Sequence, residues 1–139
     1  MNKYFWLIVL LAGLSWSSCI KKDTCNAVDA VAPNDAELAS LTAFVSSIDT
    51  AAQYDSRGFY YRIVKPGTTN HPGICSDIYS RFECTDGGSI TYFTESTIGL
   101  LTFDLSNQIH AWRYAYPMIG LGGEIIIYVP PSLRKGYDI

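Results

Sequence analysis

The sequence predicts an α+β domain, an antiparallel β-sheet wrapped on a short helix and preceded by an N-terminal amphipathic helix. A capped start and apolar residues at helical spacing indicate a helix at 34–48. After Gly58 the chain is instead rich in β-branched and aromatic residues. The turn sequences KPG (65–67) and DGG (86–88) interrupt these later runs. Short apolar runs divided by tight turns are typical of antiparallel strands.

Composition narrows the class of protein. The chain has 139 residues, a net charge of −3, 48% hydrophobic and 14% aromatic residues, which is typical of one compact domain. Ten Lys and Arg stand against thirteen Asp and Glu, and no basic run exceeds Lys21-Lys22. A nucleic-acid-binding surface needs clustered positive charge, so we expect no nucleic-acid partner.

Residues 1–18 resemble a bacterial lipoprotein signal peptide. Lys3 provides a positive start, 4–14 form an apolar core, and a short serine-containing stretch ends at Cys19. In such signals the cysteine becomes the acylated first residue of the mature chain, which predicts an exported, membrane-anchored lipoprotein on the periplasmic or cell-surface side. Ordinary secretion and a retained anchor are the alternatives.

Residues 19–34 lack sustained periodicity and are predicted to be a linker, whose reach is at most about 50 Å when extended. Residues 35–55 are assigned to an N-terminal helical segment. Asn34 is the predicted N-cap, with Glu37 in the capping-box position. The apolar residues that follow at helical spacing predict a face that packs on the domain, with partner binding as the alternative. They are Leu38, Leu41, Val45 and Ile48, with Phe44 beside them.

Residues 56–139 are predicted to form the main domain. Its elements follow from alternating or β-branched runs that end at turn residues, and from one short helical stretch. The predicted strands are 59–64, 77–84, 89–93, 100–105 and 124–129, and the predicted helix is 111–116.

The cysteines and histidines do not suggest a metal site or a redox site. Cys25, Cys75 and Cys84 have no C-x-x-C spacing, and the two histidines lie far apart, so we expect neither a bound metal nor another cofactor. In an exported chain, either Cys25–Cys75 or Cys75–Cys84 can form a disulfide and leave one thiol. No nucleophile motif accompanies His110, which is therefore predicted to face solvent.

Three stretches of the main domain resemble the FKBP-type peptidyl-prolyl cis-trans isomerases, in particular short bacterial lipoprotein forms of the Bacteroidetes type. They are SRGFYYRIVKPGT (56–68), FDLSNQIHAW (103–112) and GGEIIIYVPPSL (122–133). The run from Ile109 to Leu133 matches in order and spacing. The resemblance implies a rotamase, without cofactor, that assists the folding of exported proteins and takes proline-containing polypeptides as substrates.

The same resemblance implies the site. Trp112 would be the floor of an apolar groove beneath the substrate proline, the Ile109 backbone N–H would hold the substrate carbonyl, and Phe103 would be a wall. The other residues assigned to substrate binding are Tyr79, Phe93, Leu101, Gln108 and Tyr137.

The sequence departs from the family pattern at several positions. Thr94 stands where the family has Asp, Gln108 where it has an apolar residue, and Lys135 where it has Tyr. The family also continues into a last strand, whereas this sequence ends at Ile139. Because of these departures, two alternatives to an isomerase remain: a non-catalytic, peptide-binding or chaperone-like lipoprotein, and a degenerate structural fragment. The sheet could also be completed by a strand from a partner.

Overall fold

A computed structural model describes residues 25, 29–85, 91–94 and 101–134. Helix α1 spans Asp35–Ile48. The strands are β1 (Gln53–Asp55), β2 (Phe59–Lys65), β3 (Asp77–Ser80), β4 (Glu83–Thr85), β5 (Thr91–Thr94), β6 (Leu101–Asp104) and β7 (Glu124–Tyr128). Helix α2 spans His110–Ala115, and short 3-10 turns span Leu105–Asn107, Tyr116–Met118 and Pro131–Arg134. The predicted signal peptide, Cys19 and Tyr137 lie outside the described residues.

Every strand pair in the described chain is antiparallel, which confirms the predicted α+β class. The strands form a three-stranded unit in the order β1-β2-β7 and the pairs β3-β6 and β4-β5. The long β2-β7 ladder places Tyr60 opposite Tyr128 and Ile63 opposite Ile125. It joins the start of the main domain to its far end and so brings α2 onto the sheet.

The start of α1 is as predicted, because Asn34 and Glu37 form a reciprocal capping box. Val45 is buried and lies on the predicted apolar face. Ile48 was predicted to pack on the domain with this face, and that prediction is wrong. Ile48 is the last residue of the helix and is 57% exposed. Asp49 then accepts hydrogen bonds from Arg62 Nε and the Tyr128 hydroxyl, both at 2.7 Å, which fasten the end of α1 to the sheet.

Two strand predictions need correction. The run 77–84 is not one strand: β3 ends at Ser80 and pairs with β6, whereas β4 begins at Glu83 and pairs with β5. The break at 81–82 allows Phe82 to turn towards α2, where it contacts Trp112. Strand β1 was not predicted, since its three residues show no apolar alternation and only Asp55 is partly buried.

The core lies between α2 and the β2-β7 ladder. Phe59, Ala111, Ala115 and Leu133 form a buried cluster. The two alanines allow the helix to approach the sheet closely, and the Phe59 ring stacks on Tyr114 at 6.3 Å between centroids. The same helix therefore has one face in this core and carries Trp112 elsewhere on its surface.

The loop that follows α2 is hydrogen-bonded to the loop that follows β2. Gly120 N–H donates to Pro66 O at 2.9 Å, and Thr68 N–H donates to Leu121 O at 3.1 Å. A Cβ at Gly120 would lie 1.9 Å from the Thr68 carbonyl oxygen, so only glycine fits at this position. This contact fixes the end of α2 relative to the sheet.

A disulfide joins Cys25 to Cys75, across 50 residues of chain. This is the first of the two pairings that the sequence left open. Cys84 is a free, exposed thiol in β4. The bond fastens the segment before α1 to the residues that lead into β3.

Candidate functional site: an aromatic cluster around Trp112

Trp112 lies at the centre of a cluster of aromatic rings. Its ring is 4.5 Å from that of Phe82, 5.3 Å from that of Phe103 and 5.9 Å from that of Tyr116, measured between centroids. The Phe82 and Tyr116 rings meet Trp112 edge to face, at interplanar angles of 69° and 75°. All four side chains are only partly buried. The cluster is therefore an apolar surface with polarisable rings that solvent or a ligand can reach.

Three elements bring these rings together. Trp112 and Tyr116 are four residues apart and so lie on the same side of α2 and its 3-10 extension. Phe103 is in β6 and faces both of them, since its ring is also 6.0 Å from that of Tyr116. Phe82 comes from the break between β3 and β4. The structure thus joins the two residues predicted as floor and wall, Trp112 and Phe103.

Ile109 is the N-cap residue of α2. Its carbonyl accepts hydrogen bonds from Trp112 N–H at 3.0 Å and Arg113 N–H at 3.3 Å. Within the described residues, no hydrogen-bond acceptor is found for the Ile109 N–H itself. The first N–H groups of a helix have no partner inside the helix, so this donor is available three residues before Trp112.

The other predicted binding residues have different surroundings. Leu101 is partly buried in β6. Gln108 is also partly buried, and its side-chain Nε2 donates to Asp104 O at 3.4 Å, so its amide is bonded to the local backbone. Phe93 lies in β5 opposite Cys84 in β4.

Tyr79 is not part of the cluster, because its side chain is 72% exposed. Successive side chains of a strand point to opposite faces. Ile78 is buried and Ser80 hydrogen-bonds to Tyr116, so Tyr79 is directed away from the rings.

Three residues of the site were missed by the sequence analysis: Phe82, Tyr116 and Ser80. The Tyr116 hydroxyl lies 2.6 Å from Ser80 Oγ. The spacing of Trp112 and Tyr116 is a local signal that could have identified Tyr116. Phe82 gave no such signal, because its position depends on the break in the predicted strand.

The expectation that His110 faces solvent is wrong, since its side chain is buried at 6% exposure. Arg113, one turn later, is also buried, and its Nη2 contacts His110 Nδ1. Burial first, and the neighbouring Arg113 guanidinium second, lower the pKa of His110 from its usual 6.5, while Asp29 acts in the opposite direction. His110 is thus held neutral on the buried side of α2.

The described residues contain neither a metal-binding cluster nor a membrane-spanning helix. No group of three or more His, Cys, Asp or Glu side chains there could hold a metal ion. None of the helices in this part of the chain is both long and apolar enough to cross a bilayer.

No protein-family model matches the sequence, and no curated protein sequence is significantly similar to it. Among solved structures, that of FkpA from Escherichia coli is similar, with a TM-score of 0.62 and 21% sequence identity. The match covers 70% of this chain and 46% of the FkpA chain, so this chain corresponds to less than half of FkpA. The described domain therefore has an FKBP-like fold.

Proposed function

We propose that this domain binds prolyl segments of exported polypeptides over Trp112 and catalyses the cis/trans isomerisation of their X–Pro bonds. The observation that carries the proposal is the partly exposed Trp112 ring, held by Phe82, Phe103 and Tyr116. The FKBP-like fold supports it, since FkpA is an FKBP-type peptidyl-prolyl isomerase. Proline has an apolar ring, which an aromatic floor of this kind suits.

The reaction needs no acid, base or metal. Amide resonance keeps the X–Pro bond planar, with a rotation barrier of about 18–20 kcal/mol. The twisted transition state has lost much of the charge separation of the planar amide, so an apolar surface favours it relative to water. Contacts between the floor and the proline ring, if tighter in the twisted state, lower the barrier by the difference in binding energy.

The polar groups at the edges of the site would orient the substrate. In this proposal the Ile109 N–H donates to the carbonyl of the residue before proline, while Phe103 and Leu101 contact its side. Gln108, Phe93 and Tyr137 remain proposed contacts at the groove margin. Gln108 has its amide bonded to Asp104 O, which leaves its methylene groups as the part suited to an apolar wall.

The first experiment measures isomerisation of Ala-Pro peptides in a protease-coupled assay with the processed protein. We expect Trp112→Leu to lower kcat/KM about tenfold or more, because three aromatic contacts at about 0.5–1.5 kcal/mol each no longer form the floor. Phe44→Leu is the matched control, since Phe44 is on α1 and contacts Tyr128.

Two results would contradict the proposal. One is a folded protein with no rate above the uncatalysed exchange, which takes tens to hundreds of seconds. The other is equal activity of Trp112→Leu and the wild type.

Removal of residues 1–18 also takes away Trp6 and Trp16, so the emission of Trp112 alone should respond to a bound prolyl peptide. Emission that stays constant at saturating peptide would count against a groove over Trp112.

A non-catalytic peptide-binding lipoprotein is the second candidate, and one edge of β7, which has no partner strand among the described residues, favours it. Within the described chain β7 pairs only with β2, and β3 pairs only with β6. The apolar residues 125–128 of β7 are all only partly buried. An unpaired strand edge accepts an extended segment by backbone hydrogen bonds, so a strand-completing partner belongs to this proposal. Peptide binding without turnover, at the β7 edge, would favour it over the isomerase.

We also propose that the mature chain is anchored to a membrane through acylated Cys19. The disulfide at Cys25 would leave only residues 20–24 as a free tether, which spans about 20 Å when extended. This is less than half of the reach of the whole linker. The domain would then remain close to the bilayer surface while the disulfide is intact.

A further inference from the structure

Two loops at one end of the domain form a continuous surface without charged side chains. Residues 66–76 follow β2, and residues 117–123 lead from α2 to β7. Backbone hydrogen bonds at Gly120 and Thr68 join the two loops, and His71 Nδ1 in the first lies 2.9 Å from a carbonyl oxygen of the second. Neither loop contains Asp, Glu, Lys or Arg. The two loops together are called the loop surface below.

Leu121 projects from the loop surface. Its side chain is 79% exposed, more than any other large apolar side chain in the described part of the chain. The base of its turn is fixed, because Gly120 packs against the backbone of Thr68. The tip is open, since a Cβ at Gly122 would meet no atom within 4 Å. Ile74, in the other loop, is 46% exposed, so both loops present an apolar side chain to their surroundings.

The disulfide connects the loop surface to the proposed lipid anchor. Ile74 precedes Cys75, which is bonded to Cys25. In the anchored form only residues 20–24 lie between Cys25 and the lipid on Cys19, and they span about 20 Å when extended. A domain of about 100 residues has a radius of gyration of about 13 Å and is therefore about 30 Å across. The tether is too short for the opposite side of the domain to reach the bilayer, so the side that carries the disulfide faces it.

Charge favours the same orientation. The chain is acidic, with a net charge of −3, and cleavage after residue 18 would remove one further positive charge, that of Lys3. A bilayer that contains anionic lipids repels carboxylates within a Debye length of about 8–10 Å. The loop surface has no carboxylate, so it can approach such a bilayer at a lower electrostatic cost than the rest of the domain.

We propose that the loop surface docks on the bilayer and that Leu121 inserts into the interface between the headgroups and the acyl chains. The inference rests on the proposed anchoring through Cys19. Two exposed apolar side chains bind a free vesicle only weakly. A short tether makes docking intramolecular, with an effective concentration of about millimolar, so weak contacts are enough to orient the domain.

The test uses the acylated protein, reconstituted into vesicles of phosphatidylethanolamine and phosphatidylglycerol. Cys84→Ser is the background, so that an introduced cysteine is the free thiol beside the native disulfide. Leu121→Cys and Thr69→Cys carry a nitrobenzoxadiazole fluorophore on the loop surface. Ser56→Cys is the matched control, since Ser56 is exposed in the turn before β2 and lies about 20 Å from the loops, at the other end of that seven-residue strand.

Lipids that carry a nitroxide near the headgroup quench a fluorophore that reaches the interface. We expect quenching at positions 121 and 69 and unchanged emission at position 56. Adding Leu121→Ser to the Thr69→Cys reporter should lower the ratio of docked to undocked protein about tenfold, the factor expected when one leucine no longer enters an apolar phase. Tyr79→Ser removes a side chain that is 72% exposed elsewhere and should leave this ratio unchanged.

The outcomes separate the inference from the anchoring. Near-ultraviolet circular dichroism checks the fold of each variant, and the reporter at position 69 carries the test if Leu121→Cys does not fold. Equal emission at the loop positions and at position 56 in the acylated protein would overturn docking and leave the anchor. Fluorophores on the loop surface that are shielded but not quenched by nitroxide lipids would show that protein covers it, which also overturns docking. If mass spectrometry finds no lipid on Cys19, the anchoring and the inference are both wrong.

Discussion

Removal of the Cys25–Cys75 disulfide should lower the free energy of unfolding substantially. The bond closes a loop of about 50 residues. A cross-link stabilises mainly by restricting the unfolded chain, and the loop-length relation gives about 4 kcal/mol for a loop of this size. The alternative bond, Cys75–Cys84, would close a much shorter loop and would give only about 2.5 kcal/mol on the same relation.

The clean comparison uses Cys84→Ser as the background, because it prevents the remaining thiols from pairing differently. Cys84 is exposed and free, so this change alone should leave stability within about 0.5 kcal/mol of the wild type. Adding Cys75→Ser should then reduce the unfolding free energy by about 4 kcal/mol, and adding Cys25→Ser should have the same effect. Reduction of the Cys84→Ser protein by dithiothreitol should reproduce both.

Urea unfolding followed by Trp112 fluorescence and by far-ultraviolet circular dichroism measures the effect. Domains are stable by only about 5–15 kcal/mol, so the loss should move the midpoint far towards zero denaturant. If Cys75→Ser and the reduced protein unfold at the same midpoint as the Cys84→Ser background, the loop-closure reasoning is refuted. A large effect of Cys84→Ser itself would instead refute the pairing.

Two other predictions concern protonation and anchoring. Because burial lowers the pKa of His110 below 6.5, the unfolded chain binds a proton more readily, so stability should be complete above about pH 6.5 and fall as the pH decreases through the folded-state pKa. His110→Gln should remove this part of the pH dependence of thermal unfolding. The control His71→Gln, at an exposed histidine, should keep it. An unchanged pH profile in His110→Gln would contradict the assignment of this pH dependence to His110. Cys19→Ala should release the protein from membranes, and mass spectrometry of the mature N-terminus should find acylated Cys19 in the wild type; an unmodified N-terminus or unchanged membrane association would contradict the lipoprotein proposal.

Local sequence signals predicted the elements that depend on local physics. The capping box of Asn34 and Glu37 sets the start of α1, because its hydrogen bonds join residues three apart. The apolar run before Pro130 and the alternating run after Gly58 predicted β7 and β2, since strand propensity and turn residues are properties of short segments. The same kind of signal failed at 77–84, where two different partner strands divide one apparent run.

The site could be predicted only in part. The family resemblance connected Trp112 with Phe103, and the structure brings their rings to 5.3 Å. It also suggested Tyr79, whose exposure follows from the alternation of side chains in β3. Phe82 and Ser80 reach the cluster because β3 ends where it does. Residues that enter a site through the end of a strand have no periodic pattern to indicate them.

By itself, the sequence predicted the α+β class, the capped first helix and the β2 and β7 strands, and the place of Trp112 in a substrate groove stays a prediction from the family resemblance. These follow from side-chain periodicity, turn chemistry and one family pattern, all of which are written in short stretches of chain. The tertiary structure alone decided that Cys25 pairs with Cys75, that His110 is buried beside Arg113, and that the Tyr116 hydroxyl lies 2.6 Å from Ser80 Oγ. Each of these depends on the distance and direction between side chains, which only the packing of α2 and the strands establishes.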